Sequence, residues 1–196
     1  MIGAEDLEPY LRALLAENEH VNVTGIRDPA AARVLHVLDS LEVSVFDLQP
    51  RRCLDLGSGN GFPGVAVRVL YPACEVTLLD RTRKKLLAVE RALERAGLAG
   101  VETVHVDAAQ APRTHQELMR TFDLITVRAV GSPAEVASLA APLSAEDGHL
   151  VLWLDGDTPA PTELPGYEFV REHRYDLPEP SPRHRRLGLY LRSSPI

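Results

Sequence analysis

The sequence predicts an α/β fold: a doubly wound, seven-stranded, mostly parallel sheet with a small helical extension at its N-terminus. Three observations predict it. From residue 51 onward short apolar runs alternate with helical patterns, the signature of a parallel sheet covered on both faces by crossover helices. The first apolar run, Cys53-Leu54-Asp55-Leu56, leads directly into the glycine turn Gly57-Ser58-Gly59-Asn60-Gly61-Phe62-Pro63-Gly64. A strand, a glycine turn and a helix N-terminus make a cradle in which backbone N–H groups face a ligand. The next run, Glu75-Val76-Thr77-Leu78-Leu79, ends in the acid Asp80.

Taken in order, residues 5 to 17 carry Leu7, Tyr10, Leu11, Leu14 and Leu15 at three-and-four spacing, an amphipathic helix expected to dock on the main domain. Asp28-Pro29 reads as an N-cap with proline at the first helical position, opening a helix through about Phe46. Val34, Leu38, Leu41 and Val45 are its expected buried face. His36, Asp39 and Ser40 share another side, which either faces a ligand cleft or is an exposed surface with a local His–Asp pair. Residues 1–46 are the expected extension and 47–196 the main domain, together one compact unit. Strands are predicted at 51–56, 75–79, 101–106, 122–127 and 148–154, with helices at 62–70, 82–97, 114–120 and 133–142. Two further strands, 167–174 and 185–192, flank a proline-rich loop and suit an edge hairpin that makes the last strand antiparallel.

Hydrophobic residues make up 45% of the 196, enough for a substantial core. No apolar run approaches the length of a membrane span, and the segment Met1-Ile2-Gly3-Ala4-Glu5-Asp6 is acidic where a signal peptide would be basic. A cytoplasmic protein with no membrane contact is the expectation. Cys53 and Cys74 fall on or near core strands, so buried thiols are expected rather than a disulfide, and no metal site. The net charge of −7 argues against sequence-independent binding of nucleic acid, whose affinity comes largely from neutralising phosphates. It leaves room for a local basic surface. Arg81/Arg83/Lys84/Lys85 reads as a solvated helix face. Arg183, Arg185 and Arg186 are either a solvated loop or an RNA-binding patch.

In open α/β sheets ligands bind outside the carboxyl ends of the strands. That rule selects Asp55 with Gly57, Gly59 and Gly61, then Asp80, which can accept both ribose hydroxyls of a nucleoside. Asp107 or the neighbouring backbone can receive an adenine amino group, and Ala108 and Ala109 leave room for the ring. Arg128, a cation at a strand end, has an anionic partner, either a ligand carboxylate or phosphate or a salt bridge to Asp55 or Asp155. The spacing Asp55-x-Gly57-x-Gly59-x-Gly61 departs from the dinucleotide pattern G-x-G-x-x-G and resembles motif I of class I S-adenosylmethionine-dependent methyltransferases.

Several longer segments sharpen this. Asn22-Val23-Thr24 with Arg27-Asp28-Pro29, His36-Val37-Leu38-Asp39-Ser40-Leu41, the Gly-Phe-Pro-Gly ending at Gly61–Gly64, Thr77-Leu78-Leu79-Asp80, Phe122 to Val130 and Arg183-His184-Arg185 together resemble the GidB family, also called RsmG. That family methylates N7 of a guanine in bacterial 16S ribosomal RNA. The resemblance implies a class I, Rossmann-like methyltransferase with S-adenosyl-L-methionine as cofactor, contacted at Gly57, Phe62, Ala108, Ala109 and Arg128, and with His36, Asp39 and Ser40 facing the cleft to position substrate. The implied partner is 16S rRNA or the assembling small ribosomal subunit, met by a monomer. Three departures stand out: Leu154-Asp155-Gly156 where the family usually has Leu-Lys-Gly, Ala109-Gln110 where it tends to have an acid, and Glu17 where relatives often carry an aromatic. They keep two alternatives in view, a small-molecule or protein methyltransferase on the same scaffold and a cofactor-binding protein without rRNA activity.

Overall fold

The computed structural model describes residues 3–193; Met1 and Ile2 of the acidic N-terminal segment lie outside them. A short 3-10 turn leads into α1 (Glu8–Asn18). A continuous helical segment over residues 29–46 follows, made of α2 (Pro29–Ala32), a π turn (Arg33–Leu38), α3 (Asp39–Leu41) and a 3-10 turn (Glu42–Phe46). Then come β1 (Arg52–Leu56), α4 (Gly64–Leu70), β2 (Glu75–Asp80), α5 (Arg83–Ala96), β3 (Val101–His105), α6 (Ala111–Thr114), β4 (Phe122–Arg128), α7 (Pro133–Ala140), β5 (Ser144–Asp155), β6 (Glu163–Leu164), β7 (Tyr167–Leu177) and β8 (Arg183–Arg192).

The strands form one sheet in the order β3-β2-β1-β4-β5-β8-β7-β6. The first five pair in parallel, and β8 runs antiparallel between β5 and β7. The expected seven strands are thus corrected to eight. The extra one, β6, has two residues, and pairs Glu163 and Leu164 with Glu168 and Tyr167 across the turn at Gly166. The helix expected at 114–120 is replaced by α6 and a 3-10 turn at Gln116–Leu118.

One core layer joins the N-terminal segment to the sheet: Leu7, Tyr10, Leu11 and Leu14 pack in the same cluster as Val65, Val151, Trp153 and Leu187. On the other face Leu54, Ile125, Val136 and Ala140 anchor a second layer under α7. Helix α1 is fixed to α5 by the buried Glu17, whose carboxylate meets Arg91 and Arg95 at 2.7 Å each. A carboxylate between two arginines thereby fills the place where the resemblance puts an aromatic in relatives. Among the described residues no helix is long and apolar enough to cross a membrane.

The helix over 29–46 departs from its expected phase. Val45 is 41% exposed, whereas His36, Asp39 and Ser40 are buried together with Leu35, Val37, Val43 and Phe46. His36, Asp39, Ser40 and Val43 lie at three-and-four spacing and so share one regular helix face. That face turns inward because Arg128, Tyr175 and Trp153 bind Asp39, and the predicted apolar stripe turns partly out.

Candidate active site

The order of strands reverses between β1 and β4, the switch point at which a doubly wound sheet leaves a crevice. A cleft of about 720 Å³ lies there, bordered by the glycine turn, by Asp80 at the end of β2, by Asp107 and Ala108 after β3 and by Arg128 to Gly131 after β4.

Backbone geometry builds the floor. The N–H groups of Gly57 and Ser58 both donate to the Leu79 carbonyl, at 2.8 and 3.0 Å, which ties the turn to β2. Gly57, Gly59 and Gly61 have φ of 73°, 54° and 85°, left-handed conformations that favour glycine. A Cβ on Gly59 would meet nothing closer than 3.8 Å, so the turn leaves open space above its middle. At Gly61 a Cβ would run into the Tyr10 hydroxyl, and at Gly64 into Leu78 and Asp55. These two glycines serve packing. Tyr10 donates to the Asn60 carbonyl at 2.8 Å, so α1 clamps the turn from behind.

The acids divide. Asp80 lines the cleft and accepts from the N–H of Gly59 at 2.9 Å and of Thr82 at 2.7 Å. Asp55 does not line it. Its carboxylate lies beneath the turn, 1% exposed, accepting from the Gly64 N–H at 2.9 Å and the Thr126 hydroxyl at 3.1 Å. Burial pushes its pKa up to about 7 against the lowering effect of those donors and of Arg128. The structure therefore assigns Asp55 to bracing the start of α4 rather than to ligand contact. Asp107 caps its own turn, accepting from the Ala109 N–H at 2.9 Å; Ala108 borders the cleft and Ala109 stands outside it.

Arg128 is the hub of the far wall. Its Nη1 donates to the Leu35 carbonyl and Asp39 Oδ2 at 3.0 Å and to Ser40 Oγ at 3.3 Å, while Nη2 donates to the Phe62 carbonyl at 3.2 Å. Its carboxylate partner is thus Asp39, not Asp55 or Asp155. Asp39 also accepts from the Tyr175 hydroxyl at 2.6 Å through Oδ1, and from the Trp153 indole through its backbone carbonyl at 2.9 Å. Asp39 and Ser40 stand behind Arg128 and hold it; they do not border the cleft. His36 does border it, stacked on Phe62 at 5.8 Å between ring centres. Thr24 Oγ1 and Asn60 Nδ2 lie 2.9 and 3.2 Å from His36 Nε2. Burial, then the charge of Arg128, depress its pKa to about 3, so the ring is neutral at ordinary pH.

The expected RNA-binding arginines also separate. Arg183 and Arg185 border the cleft. Arg186 is corrected: it is 4% exposed, bound through Nη1 to both oxygens of Glu172 at 2.7 and 2.6 Å and through Nη2 to the Gly156 carbonyl at 2.7 Å. Strand alternation explains it, because successive side chains of β8 point to opposite faces of the sheet and Arg186 cannot share a face with Arg185. Arg81 and Lys85, expected on a solvated helix face, border the cleft instead. Asn60, Tyr10 and Tyr175 were absent from the expected site. Asn60 carried a signal in its place inside the glycine turn; the tyrosines arrive from distant segments and carried none.

A family description built on many sequences, GidB, rRNA small subunit methyltransferase G, matches residues 3–162. The chain belongs to the GidB family. Among curated GidB relatives, "Ribosomal RNA small subunit methyltransferase G" of Dehalococcoides mccartyi (strain CBDB1) is 33% identical over 154 residues, 76% of this chain and 64% of that protein. The protein of the same description from Methylococcus capsulatus is 38% identical over 176 residues, 89% of this chain and 82% of the relative. The chain thus spans just under two thirds of the Dehalococcoides relative's length. Among solved structures, TrmN from Thermus thermophilus superposes with a TM-score of 0.57 at 21% identity, covering 80% of this chain and 48% of that one. That likeness supports the methyltransferase fold of the GidB chain.

Proposed function

We propose that this protein uses S-adenosyl-L-methionine to methylate N7 of a guanine in 16S ribosomal RNA of the small subunit, a cytoplasmic reaction. The observation that carries this reading is the charge of the cleft. In a chain of net charge −7, the cleft is bordered by Arg81, Lys85, Arg128, Arg183 and Arg185 against only Asp80 and Asp107. Arg128 and Arg185 are paired with Asp39 and Asp155; the remaining Arg81, Lys85 and Arg183 around a nucleoside-sized crevice suit a polyanionic acceptor.

The residues fit the cofactor. The turn leaves open space above Gly59, and Ser58 Oγ is buried without a hydrogen-bond partner. Gly57 to Gly59 would hold the cofactor along the turn, Asp80 its ribose hydroxyls, and Asp107 with Ala108 its adenine. Bound there, S-adenosyl-L-methionine supplies an electrophilic methyl group, which a guanine N7 with its free lone pair accepts without prior deprotonation. No side chain is therefore needed as a base, and His36, its pKa depressed to about 3, is a weak one. What the chain contributes is placement and exclusion of water: Arg128, locked by four acceptors, fixes the wall, and the His36–Phe62 stack closes the side toward α1.

The test is transfer of labelled methyl from S-adenosyl-L-methionine to small subunits from a strain lacking the modification. Label in 16S rRNA is the expected result. Cofactor binding with no transfer to rRNA, free or assembled, contradicts the proposal.

A further inference from the structure

The ends of β4 and β5 enclose a second, smaller cavity of about 250 Å³. It shares Arg128 to Gly131 and Arg185 with the large cleft, so the two adjoin around the turn between β4 and α7. Ala129 and Gly131 hold φ of 59° and 50° there, backbone conformations that bring this turn between the two spaces. Pro133, Val136, Leu152 and Leu154 give the small cavity apolar walls. Besides Arg128, whose Nη1 is held by Asp39, its charged groups are Asp155 and Arg185, cross-strand neighbours on β5 and β8.

These two differ in how they are held. The Arg185 side chain is 16% exposed, 3.6 Å through Nε from Asp39 Oδ1, and its buried Nε has no hydrogen-bond partner. The Asp155 side chain is 90% exposed and meets Arg185 Nη1 at 3.2 Å through one oxygen only. An exposed bridge of this kind contributes little to stability. A cavity with apolar side chains in its walls, one donor group and a carboxylate with one unengaged oxygen is instead arranged to read the edge of a base.

We propose that this cavity receives the acceptor base and that Asp155 and Arg185 select guanine. The proposal rests on the function given above. On its Watson–Crick edge guanine presents an acceptor, O6, followed by two donors, N1–H and N2–H₂. Arg185 donating to O6 and Asp155 accepting from N1–H and N2–H₂ match that order; adenine, with a donor at N6 and an acceptor at N1, opposes it. Reading an extruded base by this edge leaves N7, on the other side of the ring, free to face the adjoining cleft. The carboxylate also favours reaction. As methylation places positive charge on the purine, N1–H and N2–H₂ become stronger donors, so the contact with Asp155 tightens in the transition state. Phosphate contacts from Arg81, Lys85 and Arg183 would supply affinity without base choice.

Titration calorimetry with GMP, IMP and AMP on protein saturated with S-adenosylhomocysteine tests this, since IMP differs from GMP only by the missing 2-amino group. The wild type should bind GMP roughly tenfold or more tightly than IMP or AMP, in line with a bidentate base contact. In Asp155→Asn, GMP should fall to the level of IMP while S-adenosylhomocysteine affinity stays unchanged. A wild type without preference for GMP, or an Asp155→Asn protein that retains the preference, overturns the proposal. Guanine selection through Asp155 in a protein that labels no rRNA upholds the subsite and removes the ribosomal acceptor. Labelled rRNA without nucleotide discrimination removes the subsite and leaves the function standing.

Discussion

Asp80 and Asp55 each close a strand beside the same glycine turn, yet only Asp80 reaches the cleft. Its two oxygens accept the N–H groups of Gly59 and Thr82, which leaves lone pairs for a ribose. Asp80→Ala should therefore weaken S-adenosyl-L-methionine binding by about 1–3 kcal/mol, the range for charge-assisted hydrogen bonds. Calorimetry would show it, and an unchanged affinity would remove Asp80 from the site. Its position at the end of the second strand made its place at the cleft legible from the sequence. That of Asp55 was not, because an acid before a glycine turn can bind a ligand or brace the turn. The contact that decides is Thr126, 71 residues away. Arg128 was half legible: a cation at a strand end needs an anion, but its partner Asp39 lies on another element altogether.

At the scale of elements, the segment over residues 29–46 carries most of the far wall. Asp39 receives Arg128, Tyr175 and, through its carbonyl, Trp153, and so ties this helix to β4, β5 and β7. Asp39→Ala leaves a buried guanidinium without its carboxylate, and about 3–5 kcal/mol of stability should be lost in urea unfolding. Tyr175→Phe removes one charge-assisted hydrogen bond from the same carboxylate and should cost less, about 1.5–3 kcal/mol. Equal losses in the two variants would show that Asp39 is not the centre of the network. Periodicity located this helix and its start at Asp28, where the side chain accepts from the Ala31 N–H at 2.7 Å. It misjudged the buried face because that face carries the polar His36, Asp39 and Ser40, whose partners lie on distant strands and leave no apolar stripe to read.

Across the whole molecule, the alternation of strands and helices was the most readable feature, since a parallel sheet buried on both faces demands long apolar runs at regular separation. The two-residue β6 is too short to leave such a pattern. Global stability should also reveal two buried titrating groups that oppose each other. His36 has a folded pKa of about 3 against an ordinary value of 6.5. Between these values only the unfolded chain binds the proton, so His36 makes stability rise with pH. Asp55 has a folded pKa of about 7 against 3.8; the folded chain keeps the proton between them, and stability falls as pH rises. The two slopes largely cancel over about pH 4 to 6.5. Relative to wild type, His36→Gln should lose stability as pH rises across this window and Asp55→Asn should gain it, each by on the order of a few kcal/mol. Urea melts at the two ends of the window measure this, and parallel profiles for all three proteins would contradict it.

Charge at the same scale bears on the proposed function, because an acidic chain that gathers five cations around one crevice, two of them paired with Asp39 and Asp155, suits a polyanionic acceptor. The most direct measurement is mass spectrometry of nucleosides from 16S rRNA after incubation of unmodified small subunits with the protein and S-adenosyl-L-methionine. A single new 7-methylguanosine is the result the account predicts. Methylation at another base or atom, or none, would contradict it.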